Sequence, residues 1–164
     1  LLVDGDRVLH ESTIIIESLQ LRGPCAVPLI PADPAAALNV RLLDRLSDQY
    51  LMTPMQTIVF DAARGDAPRD PHGVSKAREL LDTAYGWWDA QMQGREWAAD
   101  TFSLADCATA PALFYADWTH PIPRSLAALH AYRARLLARP AVRRAVDEAR
   151  PFRDYFPLGD PGRD

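Results

Sequence analysis

Glu11 and Ser12 stand between a short apolar run and the Ile-rich stretch Ile14-Ile15-Ile16. An acid and a hydroxyl at a helix start form an N-cap pair favoured by the helix dipole. The same two residues, beside the free amide N–H groups of a first turn, are also placed to meet a ligand. A second pair, Ser103 and Asp106, has capping-box spacing, with Phe102 and Cys107 set to staple the same helix start. Asp106 is therefore read as a capping and folding residue rather than an acid–base group. Cys25 and Cys107 lie far apart and outside any paired motif, so both are read as packing thiols in a reducing compartment. His10, His72, His120 and His130 show no metal-ligand spacing to one another; they are read as surface or capping residues, and no metal is expected. Trp87 and Trp88 are adjacent, and neighbours on a helix point about 100° apart. One is expected inside and the other at a second contact, such as a partner subunit.

These residues need elements to position them. Asp4-Gly5-Asp6 separates two apolar runs and predicts a β-hairpin with an Asp-Gly type I′ turn. Ser12 or Thr13 is expected to cap a short helix through Leu21, closed by Gly23-Pro24. Residues 23–33, with three prolines and a glycine, read as an extended linker ending in the cap Asp33, with Pro34 at the first helical position. A long helix is then expected to about Arg64, with Val40, Leu43, Leu46 and Tyr50 on one face and a kink at Pro54. Residues 65–73 read as a polar loop. Ala77, Leu80, Leu81, Ala84 and Trp88 recur at helical spacing, and Gly94 closes that segment. The Ser103 start, a helix from about Ser125 and a short one from Pro140 to Arg150 complete the pattern, with an irregular tail. The expectation is a hairpin and helix followed by an all-helical unit.

The bulk numbers agree with one domain, or one compact piece plus part of another. The 164 residues are 48% hydrophobic and 24% charged. The net charge of −4 argues against a nucleic-acid footprint or a polybasic membrane patch, and no apolar run is long enough to span a bilayer. Lys76 is the only lysine among 18 basic residues. No secretory leader precedes the cysteines, and a cytoplasmic setting is expected.

The order of these segments is familiar. "LLVDGDRVLHESTIIIESL" resembles the third and fourth strands and third helix of the cytosolic glutathione transferase family. "ADPAAALNVRLLDRLSDQYLMTPM", "TFSLADCATAPAL" and "LARPAVRRAV" resemble its helical domain in register, so the resemblance covers essentially the whole chain. It implies a mainly α fold: residues 1–22 as the second half of a thioredoxin-like glutathione-binding domain, 23–33 as linker and 34–164 as an all-α domain. It also implies that Glu11 and Ser12 hold the γ-glutamyl end of glutathione. Ser12 and the helix-start N–H groups suit the carboxylate, and Glu11 suits the ammonium. Tyr50, Met52 and Met55 fall on the helix that lines the family's co-substrate pocket, and a homodimer is implied. By the same resemblance the activating Ser, Tyr or Cys and the cis-proline fall upstream of Leu1, so no catalytic residue is expected in this sequence. The leading expectation is a glutathione transferase, seen as an N-terminally truncated chain, that conjugates the glutathione thiolate to a small electrophile. The alternatives are a non-catalytic binding or dimerisation protein of the same fold, and a glutathione-dependent isomerase or dehalogenase.

Overall fold

Short apolar runs on either side of Asp4-Gly5-Asp6 form the hairpin. β1 (Leu2–Asp4) and β2 (Arg7–Leu9) pair antiparallel, with Leu2 opposite Leu9, Val3 opposite Val8 and Asp4 opposite Arg7. This computed structural model describes residues 1–23 and 27–164. The sequence reading of Cys25 falls outside the described residues. The register makes Gly5 and Asp6 the central turn residues, and only Gly5 has positive φ, at 58°. The expected Asp-Gly type I′ turn is thus corrected. The glycine leads, as in a type II′ turn, where only the first central position requires positive φ.

α1 (Ser12–Gln20) follows, and its N-cap is Glu11 rather than Ser12 or Thr13. The reason is local: Ser12 already lies inside the first turn, and the Thr13 hydroxyl points away to Asp44 on the next helix. α2 (Pro34–Ser47) starts as expected. The Asp33 carboxylate accepts from the Ala36 N–H at 2.8 Å, and Pro34 sits where its missing N–H costs nothing.

The expected Pro54 kink takes another form. A π-helical segment, Asp48–Met52, precedes α3 (Thr53–Ala62), and Pro54 lies in the first turn of α3. The wider turn lets the Thr53 N–H reach the Asp48 carbonyl, which also accepts from Thr53 Oγ1 at 2.9 Å. The chain stays helical by inserting one residue before the proline.

α4 (Pro71–Gln91) begins inside the stretch read as loop. Asp70 caps it by accepting from the Gly73 N–H at 2.9 Å, and the Asp61 carboxylate accepts from the Asp70 N–H at 2.7 Å. α5 (Leu104–Thr119), α6 (Ala127–Ala138) and α7 (Pro140–Ala149) complete the unit. The tail is more ordered than expected, because Arg150–Tyr155 forms a 3₁₀ turn. Beyond it Arg163 pairs with Asp117, and Asp164 pairs with Arg150 and Arg153. Among the described residues the hairpin is the only sheet, and the chain is mainly α.

The core sits where the helical stripes meet. Val40, Leu43, Leu51 and Ile58 pack with Leu81, Tyr85 and Trp88 from α4, Leu104 and Leu113 from α5, and Leu129, Tyr132 and Leu136 from α6. α1 contributes no fully buried residue, although Ile16 packs against this core. No described helix is long and apolar enough to cross a membrane.

Candidate functional site

Glu11 is the one described non-glycine residue with positive φ. Its backbone, at φ 67° and ψ 124°, lies outside the wells that side chains favour. It ends the strand and opens α1, and its carbonyl accepts the first helical bond from the Ile15 N–H at 3.0 Å. No side chain caps this turn. The N–H groups of Ser12, Thr13 and Ile14 are therefore free of intrahelical partners and carry the positive end of the helix dipole. Glu11 and Ser12 are both exposed. The edge thus presents amide donors, one hydroxyl and one carboxylate within two residues. That set can meet a carboxylate and an ammonium carried on the same carbon.

The residues expected at a co-substrate pocket do not share one environment. Tyr50 is 45% exposed and lines an open apolar hollow of about 280 Å³ with Leu46, Leu80, Thr83 and Trp87. Met52 is half-buried against the core, and Met55 is itself a core residue. Neither is among the residues lining that hollow. The tryptophan pair divides as expected: Trp88 is buried, Trp87 is 44% exposed, and their rings meet edge to face at 5.2 Å.

Ser103 and Asp106 lie in the core. Asp106 Oδ2 accepts from the Ser103 N–H at 2.9 Å and from Ser103 Oγ at 3.1 Å. Asp106 Oδ1 accepts from the Ala98 N–H at 2.9 Å and from the Tyr132 hydroxyl at 2.7 Å. One buried carboxylate thus ties together the loop before α5, the first turn of α5 and the middle of α6. Burial, reinforced by the nearby Asp106, pushes the Cys107 thiol up to about 11. That favours the protonated thiol at neutral pH over the nucleophilic thiolate. The Tyr85 and Tyr132 hydroxyls are likewise pushed up by burial, and both donate to internal acceptors.

No family model matches this chain. Over 150 residues it is 28% identical to the stringent starvation protein A homolog of Coxiella burnetii (strain RSA 493 / Nine Mile phase I), a match covering 90% of this chain and 68% of the relative. A glutathione S-transferase of Methylobacillus flagellatus KT, with glutathione bound, superposes at a TM-score of 0.74 and 24% identity, covering 83% of this chain and 68% of that one. A glutathione transferase family member from Pseudomonas fluorescens Pf-5, with bound S-(propanoic acid)-glutathione, gives 0.75 at 25% identity, covering 88% and 74%. The chain carries the glutathione transferase fold. The resemblance seen in the "LLVDGDRVLHESTIIIESL" and "TFSLADCATAPAL" segments is thus matched by a backbone path that superposes over 83% and 88% of this chain.

Within this glutathione transferase fold, two charged groups escaped the sequence reading. Asp44 is 2% exposed and meets Thr13 of α1, with Thr13 Oγ1 at 3.2 Å from each carboxylate oxygen. Its signal was an acid beside the apolar stripe Val40–Leu43 of α2. Asp117 is 6% exposed. It accepts from the Ile122 N–H at 2.9 Å and pairs with Arg133 at 3.3 Å and with Arg163. Nothing local in the sequence marks Asp117, because Arg163 is 46 residues away.

Proposed function

We propose that this glutathione transferase-like chain holds the γ-glutamyl end of glutathione at Glu11 and Ser12, and that it serves to join the glutathione thiolate to a small electrophile. The Glu11 backbone carries this reading. A strained residue at an uncapped helix start has no structural benefit that a glycine or a plain N-cap would not exceed. It does set an exposed carboxylate next to a row of amide donors without intrahelical partners. Support also comes from the glutathione and the glutathione conjugate bound in the two structures of the same fold. On this reading residues 1–22 belong to the glutathione-binding domain, 23–33 link it to the helical domain of 34–164, and the protein works in the cytoplasm as a homodimer. Glutathione is then a substrate, and no metal takes part.

The division of labour follows from the site. Ser12 and the first-turn N–H groups bind the α-carboxylate, and Glu11 binds the ammonium as a charge-assisted pair. These contacts fix one end of the tripeptide and leave the cysteine end to be aimed. Thiolate formation needs a donor beside the sulfur. Tyr85 and Tyr132 do not supply it, since each hydroxyl donates to an internal acceptor, and half-burial pushes the Cys107 thiol up. The role of these residues is binding and orientation. The electrophile is assigned to the helical unit at Tyr50, Met52 and Met55, of which Tyr50 lines the open hollow while the two methionines pack in or against the core.

The commitment of those two hydroxyls favours a second reading, a glutathione-binding protein without conjugating activity. Two measurements separate the readings. Retention of the purified chain on immobilised glutathione, released by free glutathione and lost in Ser12→Ala, is expected under both. Conjugation of a chloronitrobenzene, assayed in a form of the protein that also carries a thiolate-activating donor, is expected only under the first. A wild-type chain that passes through the resin unretained contradicts both.

A further inference from the structure

α1 is fastened to the rest of the molecule along one face, by Thr13, Glu17 and Gln20 at spacings of four and three residues. At its C-terminal end the Gln20 carboxamide makes three bonds. Its oxygen accepts from the Leu29 and Ile30 N–H groups at 2.8 and 3.0 Å, and its nitrogen donates to the Ile30 carbonyl at 2.9 Å. In the middle, Arg41 grips Glu17 through two bonds of 2.9 Å, an exposed pair and therefore a weak one. At the N-terminal end the described side-chain tie to the helical unit is the Thr13 hydroxyl on Asp44. This is the end that carries the strained Glu11.

Asp44 is an odd choice for a site that needs only packing. It is 2% exposed, and among the described residues its carboxylate has one donor, the Thr13 hydroxyl, shared between two oxygens. A carboxylate can accept about four hydrogen bonds, and an apolar or amide residue there would avoid the burial penalty. Strain such as that at Glu11 persists only where the surroundings over-determine it.

We infer that Asp44 is a positioning residue: through Thr13 it latches the first turn of α1 onto α2 and holds the Glu11–Ser12 edge in its binding shape, a role toward ligand that rests on the glutathione reading of that edge. Burial holds the Asp44 carboxyl above the ordinary carboxylate range, and the Thr13 bond only partly opposes this. Its neighbours are Glu17 from α1, Arg45 on its own helix and Asp48 at the head of the π segment; the two acids add to the rise and the arginine opposes it. From α5 the Cys107 thiol feels the Asp44 charge. The docked form therefore binds the Asp44 proton more tightly than an undocked one. Docking is strongest below the ordinary aspartate range and loosens as pH rises through the raised value.

Amide exchange in the full chain tests the latch, read at Ile15, Ile16 and Glu17 and corrected for intrinsic rates. In the wild type their protection is expected to fall as pH rises from the ordinary aspartate range toward neutrality, while that of α5 stays level. In Asp44→Asn the profile is expected to be flat. Thr13→Val is expected to lower protection at these amides about fivefold, with the end near Gln20 unchanged. Exchange in Thr13→Val equal to wild type, or a pH profile unchanged in Asp44→Asn, overturns the latch. Glutathione affinity is read on the same proteins: Thr13→Val is expected to bind at least about threefold more weakly, and Arg41→Ala as well as wild type. Exchange as described with no glutathione binding by the wild type overturns the role toward ligand and the glutathione reading together, leaving only a structural latch. Exchange as described, with equal affinity in the wild type and Thr13→Val, overturns the positioning role alone.

Discussion

Glu11 is the residue at which conformation and chemistry pull against each other. Holding a non-glycine residue at positive φ costs on the order of 1–2 kcal/mol, and no cap recovers that here. Glu11→Gly is therefore expected to raise stability by about 1 kcal/mol in urea denaturation, since glycine takes this backbone without a Cβ clash. The same change is expected to weaken glutathione binding, because the carboxylate for the ammonium is gone. A variant that is both more stable and poorer at binding is the signature of a strained functional residue. Loss of stability in Glu11→Gly would instead mark Glu11 as a structural cap. The dipeptide was legible in the sequence because an acid and a hydroxyl at a helix start have few roles. The strain was not legible, since φ is set by how the hairpin exits onto α1.

At the scale of elements, capping and periodicity carried the sequence reading a long way. Asp33-Pro34 is a local instruction, and the structure places a helix start there with the Ala36 bond in place. The failures were those of competing local options. Asp70-Pro71 carries the same instruction as Asp33-Pro34, yet its surrounding glycines and charges read as loop. The choice between a kink and a π segment at Pro54 depends on the packing of Leu51 and Met55, which no short window contains. The distant partners Thr13 of Asp44, Tyr132 of Asp106 and Arg163 of Asp117 lie 31, 26 and 46 residues away and become visible only once the helices are packed. α4 offers a direct check on the inward and outward faces. Trp88→Ala is expected to cost about 3–5 kcal/mol in denaturant unfolding, because the ring is buried and stacks on Tyr132 at 6.2 Å. Trp87→Ala is expected to change monomer stability by less than about 1 kcal/mol. Equal losses from the two variants would contradict the assigned faces.

For the whole molecule, the apolar surface left open bears on assembly. Leu38 and Leu42 on α2 are 69% and 53% exposed, and Trp87 on α4 is 44% exposed. Leu38 and Leu42, four residues apart, share one face of α2, and the proposed homodimer would cover that face. Sedimentation equilibrium is expected to give twice the chain mass at micromolar concentration, and Leu42→Glu to shift it toward the single-chain mass with unchanged helical circular dichroism. A wild-type chain that stays at single mass throughout would contradict the homodimer without touching the binding site.

The glutathione site itself is most directly tested by amide NMR of the full chain during titration with reduced glutathione. Saturable shifts are expected at the Ser12, Thr13 and Ile14 amides, abolished in Ser12→Ala and reproduced by γ-glutamylcysteine but not by cysteinylglycine, which lacks the γ-glutamyl head. Shifts confined to the hollow around Tyr50, or the same response to cysteinylglycine, would contradict the assignment of Glu11 and Ser12 as the glutathione-binding residues.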